Sequence, residues 1–225
     1  MLVVAIDPPV REEKDKRIDI LVRGVDEYVS GYKIGIPFLL KHGKQGIRRL
    51  RRLTEKPIIA DLKLADIGDI MSTTVKHLAN TGVNAVIAHA FVGYNGALET
   101  LVKTSMVTGV GVILVASMSH DGSREFIDKH IDEFLDLAVK AGVEGIVAPA
   151  TRPNVIRYAR ERLGGSIKIY SPGIGIQGAE PGSALCAGAN YEIVGRLITG
   201  SKNPGEAARE VREIQLKRWS KCHHG

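Results

Sequence analysis

The sequence predicts an α/β fold: a closed (β/α)8 barrel of the TIM type, formed as a single domain over residues 1–225. Three observations predict it: eight short apolar runs rich in Val and Ile, segments of helical period between them, and a spacing between runs that is mostly 25 to 30 residues. Runs that are continuously apolar rather than alternating are what parallel strands covered on both faces require. Eight units in succession with no obvious edge strand favour closure, and a doubly wound open sheet is the alternative.

In chain order the first four runs are "LVVAID" at 2 to 7, "GYKIGIP" at 31 to 37, "PIIADLK" at 57 to 63 and "NAVIAHAF" at 84 to 91. "GVGVILVASM" at 109 to 118, "GIVAPA" at 145 to 150, "IKIYSPGI" at 167 to 174 and "YEIVGR" at 191 to 196 complete the set. The clearest helical segment is "EFIDKHIDEFLDLAVKAG". There Ile127, Ile131, Phe134, Ala138 and Ala141 recur at three-and-four spacing, and Gly142 is the expected stop. A last helix is expected from Pro204, with Ala207, Val211 and Ile214 facing inward.

At 44% hydrophobic and 25% charged residues the chain is a soluble globular type, long enough to bury a core without staples. No low-complexity or Gly/Ser-rich segment divides it. Cys186 and Cys222 have neither metal-ligand spacing nor the density of a secreted disulfide scaffold, so a reducing cytoplasm is the expected compartment. "MLVVAIDPPV" reaches Asp7 too soon for a signal peptide, and no run approaches the roughly 20 apolar residues of a membrane span.

The formal charge of +6 raises a nucleic-acid reading, centred on "RRLRR" at 48 to 52. That cluster also reads as the solvated face of a helix whose other side carries Ile47, Leu50 and Leu53. Aromatics at 5% leave few platforms for stacking on single strands, and no nucleic-acid or membrane partner is expected.

Charges at strand ends point to a site. Function in such barrels sits where strands end and the following loops begin. Asp7 ends the first strand, Lys33 lies in the second, Asp61 and Lys63 end the third, and Asp66 follows in the loop. Residues two apart share a strand face, so Asp61 and Lys63 point the same way. A structural ion-pair network is the competing explanation, but buried ion pairs often stabilise no better than apolar packing, because desolvation offsets attraction. A unit charge pair at 4 Å is worth roughly 4 kcal/mol at an effective dielectric of 20. Such an array therefore discriminates between an anionic substrate and a less anionic transition state, and a lysine within it can deliver a proton to a developing carbanion.

The second informative stretch is "YSPGIGIQG", with Gly173, Gly175 and Gly178 in a G-x-G-x-x-G arrangement. Glu180, Pro181 and Gly182 interrupt any long helix after it, which argues against a dinucleotide site. Strand 8 ends in Gly195 and Arg196, and the loops after strands 7 and 8 are the usual phosphate site of this barrel. Loop N–H groups and the Arg196 fork are the expected phosphate ligands.

Over nearly the whole chain these residues resemble the orotidine 5'-phosphate decarboxylase family, archaeal type. The carrying motifs are "AID" at 5 to 7, "YKIGIP" at 32 to 37, "DLKLADI" at 61 to 67, "SMSH" at 117 to 120, "SPGIGIQG" at 171 to 178 and "IVGR" at 193 to 196. The resemblance implies decarboxylation of orotidine 5'-monophosphate to uridine 5'-monophosphate (UMP), the last step of pyrimidine nucleotide synthesis, with no metal and no cofactor. It places Asp61 against the substrate carboxylate, Lys63 as the proton donor to C6, Lys33 on Asp61 and the ribose, and Asp7 on a ribose hydroxyl. Ser119 reads the pyrimidine edge, while Gln177, Gly195 and Arg196 hold the phosphate, with Pro172 beside the closing loop. Asp66 reaches the neighbouring subunit's site, which implies a homodimer. Many relatives continue D-I-P-x-T, where this chain has Gly68 and Ile70, and Thr73 or Thr74 are the candidate replacements.

A metal-dependent sugar-phosphate decarboxylase or synthase of the same superfamily shares the D-x-K-x-x-D element and is the enzyme rival. His89 and His120, near the ends of strands 4 and 5, lack a convincing third metal ligand and read as hydrogen-bonded loop or core residues.

Overall fold

Every predicted apolar run contains a strand, and the strands close. The computed structural model describes residues 1–7 and 16–224. Through the first half the order is β1 (Leu2–Ile6), α1 (Lys16–Val25), β2 (Gly31–Gly35), α2 (Ile36–Leu53), β3 (Ile58–Leu64), α3 (Gly68–Ala79), β4 (Ala85–His89) and α4 (Glu99–Thr108). The second half runs β5 (Gly111–Val115), α5 (Ile131–Ala141), β6 (Gly145–Val147), α6 (Pro153–Leu163), β7 (Lys168–Pro172), α7 (Ser183–Cys186), β8 (Tyr191–Val194), α8 (Arg196–Thr199) and α9 (Pro204–His224). All pairings are parallel between neighbours in sequence, and β8 returns to β1, so closure wins over the open sheet.

Strand parity divides the core in two. Leu2, Val4 and Ile6 face the helices, while Val3 and Ala5 face the barrel axis with Ile59, Ile87, Val115, Val147 and Ile193. Continuous apolar runs are thereby explained, since both faces of each strand are buried. Lys33 pairs in register with Ala5 on one side and Ile59 on the other, so parity turns its side chain into the barrel. At the opposite end Tyr170 stacks on Tyr191 and donates to Glu144, which leaves the carboxyl ends of the strands as the open mouth.

The helix carrying "RRLRR" is α2, and it buries Phe38, Ile47 and Leu50 completely. Each contributes about 1.5–3 kcal/mol of burial. Arg49 binds Asp19 at 2.8 Å, and Arg51 binds the Thr54 carbonyl through Nε at 3.1 Å, so half the cluster serves the fold.

Two helix predictions are corrected. The segment from Ile127 to His130 is a 3-10 turn, and the α-helix begins only at Ile131, ending as expected on left-handed Gly142. In α9 Val211 is buried as expected, but Ile214 is exposed while Ala208 and Gln215 are buried. The Gln215 amide donates to the buried Glu192 carboxylate at 2.8 Å, and that bond fixes the phase of the helix. The same carboxylate accepts the N–H groups of Gly182 and Ala184 and so ties α7, β8 and α9 together.

Cys186 and Cys222 are joined in a disulfide between α7 and α9. Scaffold density is no guide to a single bond of this kind, and the bond removes the cysteine count as a ground for expecting a reducing compartment. Among the described residues no helix is long and apolar enough to cross a membrane.

Candidate active site

β3 places the central charges by breaking its own regularity. Its pairing with β4 shifts register between Ala60 and Leu64, a bulge of the kind that re-aims side chains beside sites. Lys63 within the bulge has φ of 45°, the left-handed region that costs a non-glycine residue about 1–2 kcal/mol.

Around that bulge the charges alternate in contact. Lys33 Nζ lies 3.1 Å from Asp61 Oδ2 and 3.3 Å from Asp7 Oδ2, and Lys63 Nζ lies 2.8 Å from Asp61 Oδ1. Lys63 also donates to Asp61 Oδ2 at 2.9 Å, and Asp7 Oδ1 accepts the Gly35 N–H at 2.9 Å. The inner side chains, Lys33 and Asp61, are each 10% exposed, whereas Lys63 and Asp7 are 40% and 38% exposed. Both ends of the array thus face the opening.

Burial alone raises the Asp61 carboxyl, but Lys33 and then Lys63 outweigh it and hold it below the usual aspartate value. Burial likewise lowers Lys33, and Asp61 followed by Asp7 reverses the sign, so its ammonium stays above the ordinary lysine value. Asp61 and Lys33 therefore hold each other in their charged forms. His89 is pulled the other way: burial first, then Lys63, lowers its imidazole, which packs on Phe91 with ring centres 4.5 Å apart. Among the described residues no group of three His, Cys, Asp or Glu is placed to hold a metal ion.

A cavity of about 270 Å³ opens at this end. Asp7, Lys33, Asp61 and Lys63 line one side, and Pro172, Gln177, Gly195 and Arg196 line another, with Ser119 between. Ile87, Val115, Val147 and Ile193 form its apolar floor, residues that sequence reasoning missed although their inward parity marks them. Asp66 alone of the predicted set does not line the cavity; its exposed carboxylate accepts the Ile67 N–H at 2.7 Å.

The glycine loop after β7 lines the same cavity through Gly173, Ile174, Ile176 and Gln177. Gly173, Gly175 and Gly178 all take positive φ, as the tight turning demands. Their amides are partly spent inside the loop, because Gly178 N–H donates to the Gly175 carbonyl and Gly175 N–H to the Ala179 carbonyl, each at 2.8 Å. The exposed side chains of Gln177 and Arg196 line the cavity. Of the candidate threonines on α3, Thr74 donates to the Ile70 carbonyl at 3.1 Å, and Thr73 is exposed.

Residues 1–211 match the orotidine 5'-phosphate decarboxylase / HUMPS family. The chain belongs to the orotidine 5'-phosphate decarboxylase family. Membership makes it an enzyme of the carboxy-lyase class. It is 45% identical over 217 residues to the orotidine 5'-phosphate decarboxylase of Aeropyrum pernix, covering 94% of this chain and 87% of the relative. To the Pyrococcus furiosus enzyme of the same name it is 40% identical, covering 98% and 99% of the two chains. Among solved structures it is similar to the orotidine 5'-monophosphate decarboxylase of Methanocaldococcus jannaschii complexed with the inhibitor BMP. That structure has a TM-score of 0.87 and 31% identity, covering 95% of this chain and 97% of that one. The matched residues 1–211 include all eight strands and the strand-end charges.

Proposed function

We propose that the chain converts orotidine 5'-monophosphate to UMP and CO2, the last step of pyrimidine nucleotide synthesis, with neither metal nor cofactor. The observation that carries this reading is the pair of ammonium groups on one buried carboxylate, Lys33 at 3.1 Å and Lys63 at 2.8 Å from Asp61, in a cavity that also holds Arg196.

In this reading the substrate carboxylate sits against Asp61, and the bond from C6 to the carboxylate carbon breaks. Its electron pair stays on C6 as CO2 leaves. The Lys63 ammonium transfers a proton to C6, and the amine regains one from water. Lys63, fixed in position by both oxygens of Asp61, stabilises the carbanion before the proton moves. Lys33 holds Asp61 ionised and, with Asp7, meets the ribose. Ser119 reads the pyrimidine edge; Gln177, Gly195 and Arg196 grip the phosphate beside Pro172. Binding energy from that remote grip is available to hold the pyrimidine against the array.

Asp66 completes a neighbouring subunit's site in a homodimer. The exposed side chains of Ile67 and Ile70, which flank it at the start of α3, support that reading as apolar surface a second copy covers. A cytoplasmic setting suits a nucleotide substrate.

The test is the ultraviolet absorbance change of orotidine 5'-monophosphate with purified protein in excess chelator. Rapid formation of UMP is expected. No conversion, with activity on a sugar phosphate on addition of Mg²⁺, would instead assign the chain to the metal-dependent relatives.

A further inference from the structure

A buried polar hub stands behind the loop that follows β5. Asp128, in the 3-10 turn Ile127–His130, accepts the hydroxyls of Ser117 at 2.8 Å and Ser123 at 2.7 Å on one carboxylate oxygen. Its other oxygen is bound by the guanidinium of Arg152, from the segment between β6 and α6. Ser117 and Ser123 are fully buried, and the side chains of Asp128 and Arg152 are nearly so.

The direction of these bonds matters. Because the Ser123 hydroxyl spends its proton on Asp128, its lone pairs face outward, and one accepts the Met118 N–H at 3.1 Å. Ser117 is held twice, by its side chain on Asp128 and by its N–H on the Val147 carbonyl at 3.1 Å. The two residues before Ser119 are therefore fixed by one carboxylate, in a stretch with no helix or strand of its own. Ordering such backbone otherwise costs about 1–2 kcal/mol per residue.

We propose that Asp128 is a positioning residue. It sets the Ser117–Met118 backbone so that Ser119 meets the pyrimidine edge in one orientation. The inference rests on the reading that Ser119 contacts the substrate base. An ion pair serving stability alone needs no hydroxyl relay to a loop amide at the cavity wall.

A double-mutant cycle on kcat/KM for orotidine 5'-monophosphate tests it, with Asp128→Ala, Ser119→Ala and the double variant. The inhibition constant of ribose 5-phosphate, which probes the other end of the cavity, is measured in each. Asp128→Ala is expected to lower kcat/KM on the order of 100-fold in the natural background. In the Ser119→Ala background it is expected to cost less than about tenfold, with ribose 5-phosphate binding unchanged throughout. Asp128→Asn, which keeps an oxygen for the two hydroxyls, is expected to recover most of the loss.

An equal factor in both backgrounds, within about twofold, would overturn the proposal. So would a parallel loss of ribose 5-phosphate affinity, which marks a general structural role. If Ser119→Ala alone has no effect, the reading of Ser119 fails, and the positioning role fails with it. Should Asp128→Ala not fold, Ser123→Ala replaces it in the cycle, since it removes the acceptor of the Met118 N–H and leaves the ion pair with Arg152.

Discussion

The Lys33 ammonium lies 3.1 Å from Oδ2 of Asp61, and both side chains are 10% exposed. Removing one member of a buried pair leaves the other charge desolvated, a loss of roughly 3–5 kcal/mol. Lys63 remains on Asp61 when Lys33 is removed, so the lower end of that range applies. Lys33→Ala is expected to lower the unfolding free energy by about 3 kcal/mol in denaturant melts at pH 7. A variant as stable as the natural chain would show that the pair is not worth its desolvation.

The pH dependence of the array follows from the same contact. Asp61 is held below its usual 3.8, so its contribution is present above that value and is lost as pH falls through the lowered one. Lys33 is raised above 10.5, so its contribution is present below that value and is lost as pH rises through the raised one. The stability difference between the natural chain and Asp61→Asn is expected to be flat from about pH 5 to 9 and to shrink below about pH 4. Melts across that range check it, and a difference still undiminished near pH 3 would contradict the shift in Asp61.

Gly68 is a packing requirement. A Cβ there would lie 2.6 Å from Thr100 Cβ and 2.9 Å from the Gly96 carbonyl, where α3 crosses the segment leading into α4. Gly68→Ala is expected to cost about 1–3 kcal/mol, and Thr100→Gly in the same chain to recover part of it. Full additivity of the two changes in thermal melts would count against the close approach.

The disulfide closes a segment with a sequence separation of 36, for which chain entropy predicts about 3–4 kcal/mol. Reduction is expected to lower the melting temperature, and the Cys186→Ser, Cys222→Ser variant to match the reduced protein. Two free thiols in the unreduced, denatured chain would refute the bond.

The barrel and most of the site were legible because strand parity and run length are local properties. Asp7, Asp61 and Lys63 could be placed at one mouth from the sequence, since each sits at a strand end, whereas Lys33 lies mid-strand and reaches the array by its length and inward parity. Other features depend on contacts that no local pattern encodes. The phase of α9 follows Glu192, which draws Gln215 inward and turns Ile214 out. The amides of Gly175, Gly178 and Ala179 are spent in the turns of the loop after β7, pairings that no sequence period reveals. The Asp128 hub joins residues from 117 to 152 with no period to reveal it.

In the proposed reaction Lys63 delivers the proton to C6, and Lys63→Ala removes that donor. Turnover of orotidine 5'-monophosphate and equilibrium binding of UMP are measured on the same preparation. Turnover is expected to fall below detection while UMP still binds, because Arg196 and Gln177 lie at the other side of the cavity. Near-normal turnover by that variant would contradict the assignment.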